Sequence, residues 1–109
     1  HEPCSLCLSA ITWTGFDNIY YFFPYKKTKE LFNISHDINI LKEIFKLDNG
    51  DYNRINSYWR SYSIIEEIKK LNDSEQFNFE NNIKKIYQEY GKLSKLYQEN
   101  KHKNFIPLN

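Results

Sequence analysis

EPCSLCLSAITWTGFDNIYYFF, residues 2–23, is the stretch whose reading decides the fold of this chain. Pro3 suits the first position of a helix, where its missing N–H costs nothing. Leu6, Ala10 and Ile11, with Trp13 alongside, recur at helical spacing, and Gly15 is a natural stop. The aromatic, β-rich run NIYYFF at 18–23 lies between Asp17 and Pro24 and reads as a buried strand. Helix, tight turn and strand in that order belong to an α/β layer fold. Cys4 and Cys7 then stand in the first turn of the helix. Free N–H groups and the positive end of the helix dipole favour thiolates there. Two thiolates one turn apart can hold a zinc ion at about 2.3 Å each. On spacing alone, a redox pair of the thioredoxin type is the alternative.

The chain has 109 residues, enough for one domain or part of one. Its net charge is +1, from 15 basic and 14 acidic residues, which is not the clustered basic excess of a nucleic-acid binder. With 40% hydrophobic and 17% aromatic residues it can build a core, so global disorder is not expected. No apolar run approaches the roughly 20 residues of a membrane span, and no secretory signal is visible. One C-x-x-C is no disulfide scaffold, and it fits a reducing, cytoplasmic setting. The sequence contains no Met, and a motif occupies its first residues. The expectation is a C-terminal part of a longer protein.

Downstream of Pro24 the pattern becomes polar, with one helical turn around 28–32. DINILKEIFKL (37–47) places Ile38, Leu41, Ile44 and Phe45 on one helical face, with Asp37 as cap and Asn49-Gly50 as stop. Residues 51–62 read as irregular, with a short strand near Tyr58-Trp59 as the alternative. Ser63-Ile64-Ile65-Glu66 is a capping box opening a helix to about Leu71, which NDSEQ breaks. From Phe79 to Glu99 a stripe of Phe79, Ile83, Ile86, Tyr90, Leu93 and Tyr97 alternates spacings of four and three. It is expected to pack on its own domain, against the helix carrying Ile64, Ile65 and Ile68, in preference to forming a homodimer seam. Residues 1–25 thus form a helix–strand motif, and 26–109 a mostly helical remainder of the same domain.

The acid-Pro-Cys start, the C-x-x-C, the small Ser9 and Ala10, Ala10-Ile11-x-Trp13 and the aromatic Tyr20-Tyr21-Phe22 together form a more specific pattern. They resemble the second half of the zinc-dependent nucleobase and nucleoside deaminases, the cytidine deaminase superfamily, whose signature is H-x-E followed by P-C-x-x-C. The look is nearest to bacterial guanine deaminases and to cytidine or deoxycytidylate deaminase-like proteins. DINILKEIF is loosely similar to the stretch after the fourth strand in the guanine branch. The resemblance implies the C-terminal portion of a three-layer α-β-α fold followed by a largely helical extension. It implies zinc as cofactor, with Cys4 and Cys7 as ligands. The family's third ligand and its acid–base glutamate come from an H-x-E that this chain does not contain. His1 matches a non-ligand position, and His36 and His102 lie on the wrong side of the motif. Glu2 is expected to be structural rather than catalytic.

The implied activity is hydrolytic deamination of a small nucleobase or nucleoside, of guanine or cytosine type. Zinc acidifies a bound water, whose hydroxide attacks the amine-bearing ring carbon and ammonia leaves. The chain alone is expected to be inactive and to aggregate or dimerise through an unpartnered strand edge. Trp13 is expected to pack on the sheet. His36 and Asp37, in the loop after the strand, are substrate-side candidates. Lys84, Lys85, Lys92, Lys95, Lys101 and Lys103 read as a solvated face rather than an RNA or tRNA contact. The family's fifth strand has no strong counterpart in this sequence. A reading from another class, a non-catalytic helical binding module, rests on the helical two-thirds of the chain.

Overall fold

The computed structural model describes residues 1–105. The chain forms two compact units, His1–Lys70 and Leu71–Asn109. The first unit combines helices with a two-stranded parallel sheet, an α/β arrangement. Its elements are α1 (Ser5–Thr14), β1 (Asn18–Tyr21), α2 (Tyr25–Phe32), α3 (His36–Glu43), β2 (Arg60–Ser63) and α4 (Ile64–Lys69). The second unit contains α5 (Asp73–Asn100) and a 3-10 turn at Lys101–Lys103. Among the described residues no helix is long and apolar enough to cross a membrane.

α1 ends where Gly15 adopts φ 77°, and its N–H returns to the Ile11 and Thr12 carbonyls. A left-handed residue after the last turn is the usual helix terminator, and glycine enters that region without a Cβ clash. The chain then turns directly into β1, which pairs with β2 in the register Asn18↔Arg60, Ile19↔Ser61, Tyr20↔Tyr62 and Tyr21↔Ser63. β1 is not buried on both faces as its sequence suggests. Ile19 and Tyr21 point into the core, whereas Tyr20 is 62% exposed and stacks on Tyr62 at 5.3 Å. A period of two in a half-covered sheet produces this alternation.

β2 falls where the pattern reads as irregular, one residue beyond the short strand expected as the alternative at Tyr58-Trp59. Its residues, Arg-Ser-Tyr-Ser, carry no apolar alternation, so pattern alone hides it. Pairing creates it instead: Arg60 N–H donates to the Asp17 carbonyl (2.9 Å) and Ser61 N–H to the Arg54 carbonyl (2.8 Å). Ser61 is buried, with its hydroxyl 3.4 Å from that of Tyr52.

That core is aromatic. Phe23, Tyr25, Phe32, Tyr21 and Trp59 are buried with Ile19 and Leu41. Phe23 meets Phe32 edge-on at 5.0 Å, and Tyr52 meets Trp59 at 6.0 Å. Edge-to-face contacts of this kind add to the area that aromatic rings bury. Trp13, expected on the sheet, is 91% exposed. Of the apolar face expected from Leu6, Ala10 and Ile11 with Trp13, only Ile11 is on the packed side. Leu8, Ile11 and Thr12 form that half-buried side, while Leu6, Ala10 and Trp13 face outward. Trp59 takes the interior place, its Nε1–H donating to Thr12 Oγ1 at 2.8 Å.

α2 is two turns long where one was expected. α3 begins at His36 with Ser35 before it, so Asp37 lies inside the first turn rather than capping it. The helix stops at Glu43 and Lys46 takes φ 55°, which leaves Ile44 and Phe45 exposed instead of on the packed face. In α4 the Ser63 hydroxyl accepts from Glu66 N–H at 3.4 Å. The Glu66 carboxylate pairs with Lys69 at 2.7 Å.

NDSEQ ends α4 but also starts α5. Asn72 Oδ1 accepts from Glu75 N–H (3.0 Å), and Glu75 Oε2 accepts from Asn72 N–H (3.3 Å). This reciprocal box satisfies two otherwise orphaned donors and sets the start six residues before Phe79. No residue of the 28-residue α5 is buried. Ile83 and Ile86 are half-buried, but Leu93 is 57% exposed, so the expected burial of the whole stripe is not found.

Candidate functional site

Cys4 is the residue before the first turn of α1, with extended backbone. Its Sγ accepts from the Cys7 N–H at 3.4 Å, one of the four free donors at the helix start. Cys7 lies one turn on, and the two sulfurs stand 3.3 Å apart. Both are free thiols, Cys7 exposed and Cys4 half-buried. The S–H···S contact with Cys4 holds the Cys7 thiol above its usual pKa, with burial adding to the shift.

The two cysteines line a cavity of about 370 Å³ with His1, Glu2, Pro3, Thr28, Ile34 and Asp37. Three segments supply it: the first residues and α1 one wall, α2 Thr28, and the start of α3 Asp37. The His1 ring is fixed by an Nδ1 hydrogen bond with Thr28 Oγ1 (3.0 Å) and by ring contacts with Phe23 (5.3 Å) and Phe32 (5.6 Å). Burial raises the pKa of Asp37, against the opposing charge of neighbouring His36. Of the two substrate-side candidates, Asp37 therefore reaches the cavity. His36 is not among its lining residues. His102 sits in the 3-10 turn of the second unit.

Glu2 is the best-held side chain near the site. It is 3% exposed, and both carboxylate oxygens are engaged. Oε2 accepts from Tyr25 N–H at 2.9 Å, capping the start of α2. Oε1 accepts from Arg54 Nη2 (2.8 Å) and Nε (3.1 Å). Its backbone N–H donates to the Phe23 carbonyl at 2.8 Å, and the Tyr25 hydroxyl donates to the Pro3 carbonyl. Arg54 also binds Asp51 at 2.6 Å and lies 4.6 Å from the Tyr52 ring centroid. Burial works against its charge, but the Asp51 and Glu2 carboxylates outweigh this and raise its pKa.

Glu2 is thus structural, and it fixes the entry to the cysteine turn. The sequence alone does not point to Thr28 and Ile34 in the cavity wall, nor to Arg54 as the partner of Glu2. One signal for Arg54 was present: the chain has two arginines among 15 basic residues. Arginine is the cation suited to forked, partly buried carboxylate pairing.

Among the described residues no group of three or more His, Cys, Asp or Glu side chains could hold a metal ion. The cysteine pair itself fits half of a zinc site. Two thiolates at about 2.3 Å in tetrahedral array lie about 3.8 Å apart, a small side-chain rotation from 3.3 Å. No family model, curated protein or solved structure matches the chain.

Proposed function

We propose that this chain carries the thiolate half of a zinc-dependent hydrolytic deaminase site for a nucleobase or nucleoside of guanine or cytosine type. The first unit would then be the C-terminal portion of a three-layer α-β-α deaminase-like domain, with the helical second unit as its extension. The observation that carries the reading is the convergence of Cys4 and Cys7 on one cavity, within a sequence string that resembles this family. The 370 Å³ cavity falls at the lower end of small-ligand sites.

Cys4 and Cys7 would hold the zinc ion, and the remaining ligands would come from outside the described residues. Bound there, zinc supplies a water acidic enough to react at neutral pH. Glu2 does not move the reacting proton, since both its oxygens are committed to Tyr25 and Arg54. It holds the α1 entry in place. Asp37 faces the cavity from α3 with a raised pKa and can hydrogen-bond an amine or ring nitrogen of the base. The setting is cytoplasmic, in keeping with free thiols, and the partner is a small molecule rather than RNA. Glu2 is the one glutamate among the described residues that line the cavity, and with its oxygens committed the chain is expected to be inactive alone.

The test is to purify the natural full-length protein, measure its zinc content, and follow ammonia release from guanine, cytosine, cytidine and deoxycytidylate. Zinc at one per chain, lost in Cys4→Ser and Cys7→Ser, together with ammonia from one of these is expected. A metal-free protein that releases none would overturn the reading. One observation favours a second reading, a non-catalytic helical interaction module: α5 keeps Leu93 and Leu96 57% and 58% exposed. That reading predicts a folded protein with no zinc and no turnover.

A further inference from the structure

We infer that Cys4 and Cys7 also form a thiol–disulfide exchange site, which a small disulfide such as glutathione disulfide closes into an intramolecular bond. The inference concerns the same sulfurs as the zinc reading but stands on their geometry alone. The sulfurs are already in contact at 3.3 Å, and the bond needs about 2.05 Å. The two sulfurs have about 1.2 Å left to close. Cys7 is exposed and can meet a disulfide from solution. Cys4, half-buried behind it, is placed to resolve the intermediate.

The step balances. The Cys7 thiolate attacks one sulfur of glutathione disulfide; the S–S bond breaks and one glutathione thiolate leaves. The Cys4 thiolate then attacks the Cys7 sulfur of the mixed disulfide, and the second glutathione thiolate leaves. The cysteine pair loses two electrons, glutathione disulfide gains them, and the two cysteine protons end on the two glutathione thiols. The resulting disulfide has no thiolate to offer a metal. On the zinc reading, oxidation therefore removes both ligands that this chain supplies.

The experiment uses the full-length protein, freed of metal and equilibrated with excess glutathione disulfide. It is then quenched by alkylation and digested, and the peptide carrying both cysteines is weighed. The expected peptide lacks two hydrogens, carries no alkyl group, and returns to the doubly alkylated form after dithiothreitol. In Cys4→Ser and Cys7→Ser the remaining cysteine should retain glutathione as a stable mixed disulfide. A wild-type peptide carrying two alkyl groups, or glutathione on each cysteine, would overturn the inference. Zinc content is measured on the reduced protein as purified, before the metal is removed. A protein that closes the bond but holds no zinc upholds this inference and removes the metal reading; one that holds zinc but never closes the bond does the opposite.

Discussion

Gly50 and Gly15 both have positive φ, 71° and 77°, yet they differ in what a side chain would meet. A Cβ at Gly50 would fall 2.7 Å from Ile38 Cγ1, while one at Gly15 meets nothing within 4 Å. Gly15→Ala should therefore cost only left-handed backbone strain, about 1 kcal/mol. Gly50→Ala adds a clash in a packed contact and should cost about 2–4 kcal/mol. Urea unfolding of both variants checks the order; equal losses would mean that the Ile38 contact gives way. The tyrosines give a pH dependence. Burial, chiefly, raises the pKa of both Tyr25 and Tyr52 above the ordinary 10.0. A phenol that stays protonated in the fold while the unfolded chain ionises makes stability full below pH 10 and falling above it. Tyr52→Phe should flatten that fall between about pH 9.5 and 11, read as the urea midpoint against pH. Single residues were legible when their partners were close in sequence. The approach of Cys4 and Cys7 follows from helical spacing, but the partner of Glu2 does not, because Arg54 is 52 residues away.

Helices announce themselves by period and cap, and errors arise where two signals compete. In α5 the apolar stripe begins at Phe79, so the sequence reading started the helix there. The cap at Asn72 started it earlier, since reciprocal bonds with Glu75 satisfy its first donors whatever the later pattern. In α1 the expected face of Leu6, Ala10, Ile11 and Trp13 is split by the fold: Ile11 packs with Leu8 and Thr12, and the other three lie in solvent. β2 had no period to read, because a four-residue strand of Arg, Ser, Tyr and Ser exists only through its partner. Gly91 is the exception to good helix chemistry in α5. It lies in the helix interior, with open space where a Cβ would go. Gly91→Ala should stabilise α5 by about 1 kcal/mol through helix propensity alone. A rise in the thermal midpoint of the helical circular-dichroism signal checks it. No rise would mean that helix propensity does not limit the stability of α5 at this position.

At the scale of the whole molecule, the first unit is closed by contacts that tie its first residues to its fifties. A parallel β1–β2 pair requires a long crossover, and three contacts fasten it: Glu2 to Arg54, Trp59 to Thr12, and Arg60 to Asp17. Glu2 carries the most energy at risk, because its side chain is 1% exposed and charged. Removing Arg54 would leave that carboxylate buried without its cation, held by the Tyr25 N–H and the Tyr52 hydroxyl. Breaking a buried pair in this way costs about 3–5 kcal/mol, a large share of the roughly 5–15 kcal/mol that holds a small domain folded. Arg54 is itself 32% exposed, so Arg54→Met should fall at the low end of the range. The Asp51 arm of the same guanidinium is 75% exposed. Asp51→Asn should cost less than about 1 kcal/mol, as surface pairs do. Urea unfolding can be followed by the buried Trp59 in a Trp13→Phe background, since Trp13 lies almost wholly in solvent. Glu2→Gln added to Arg54→Met should recover part of the loss, because the damage comes from an unpaired buried charge and a neutral amide carries none. If Arg54→Met instead costs no more than Asp51→Asn, water reaches Glu2, and the closure of the unit rests on Trp59 and the strand pair.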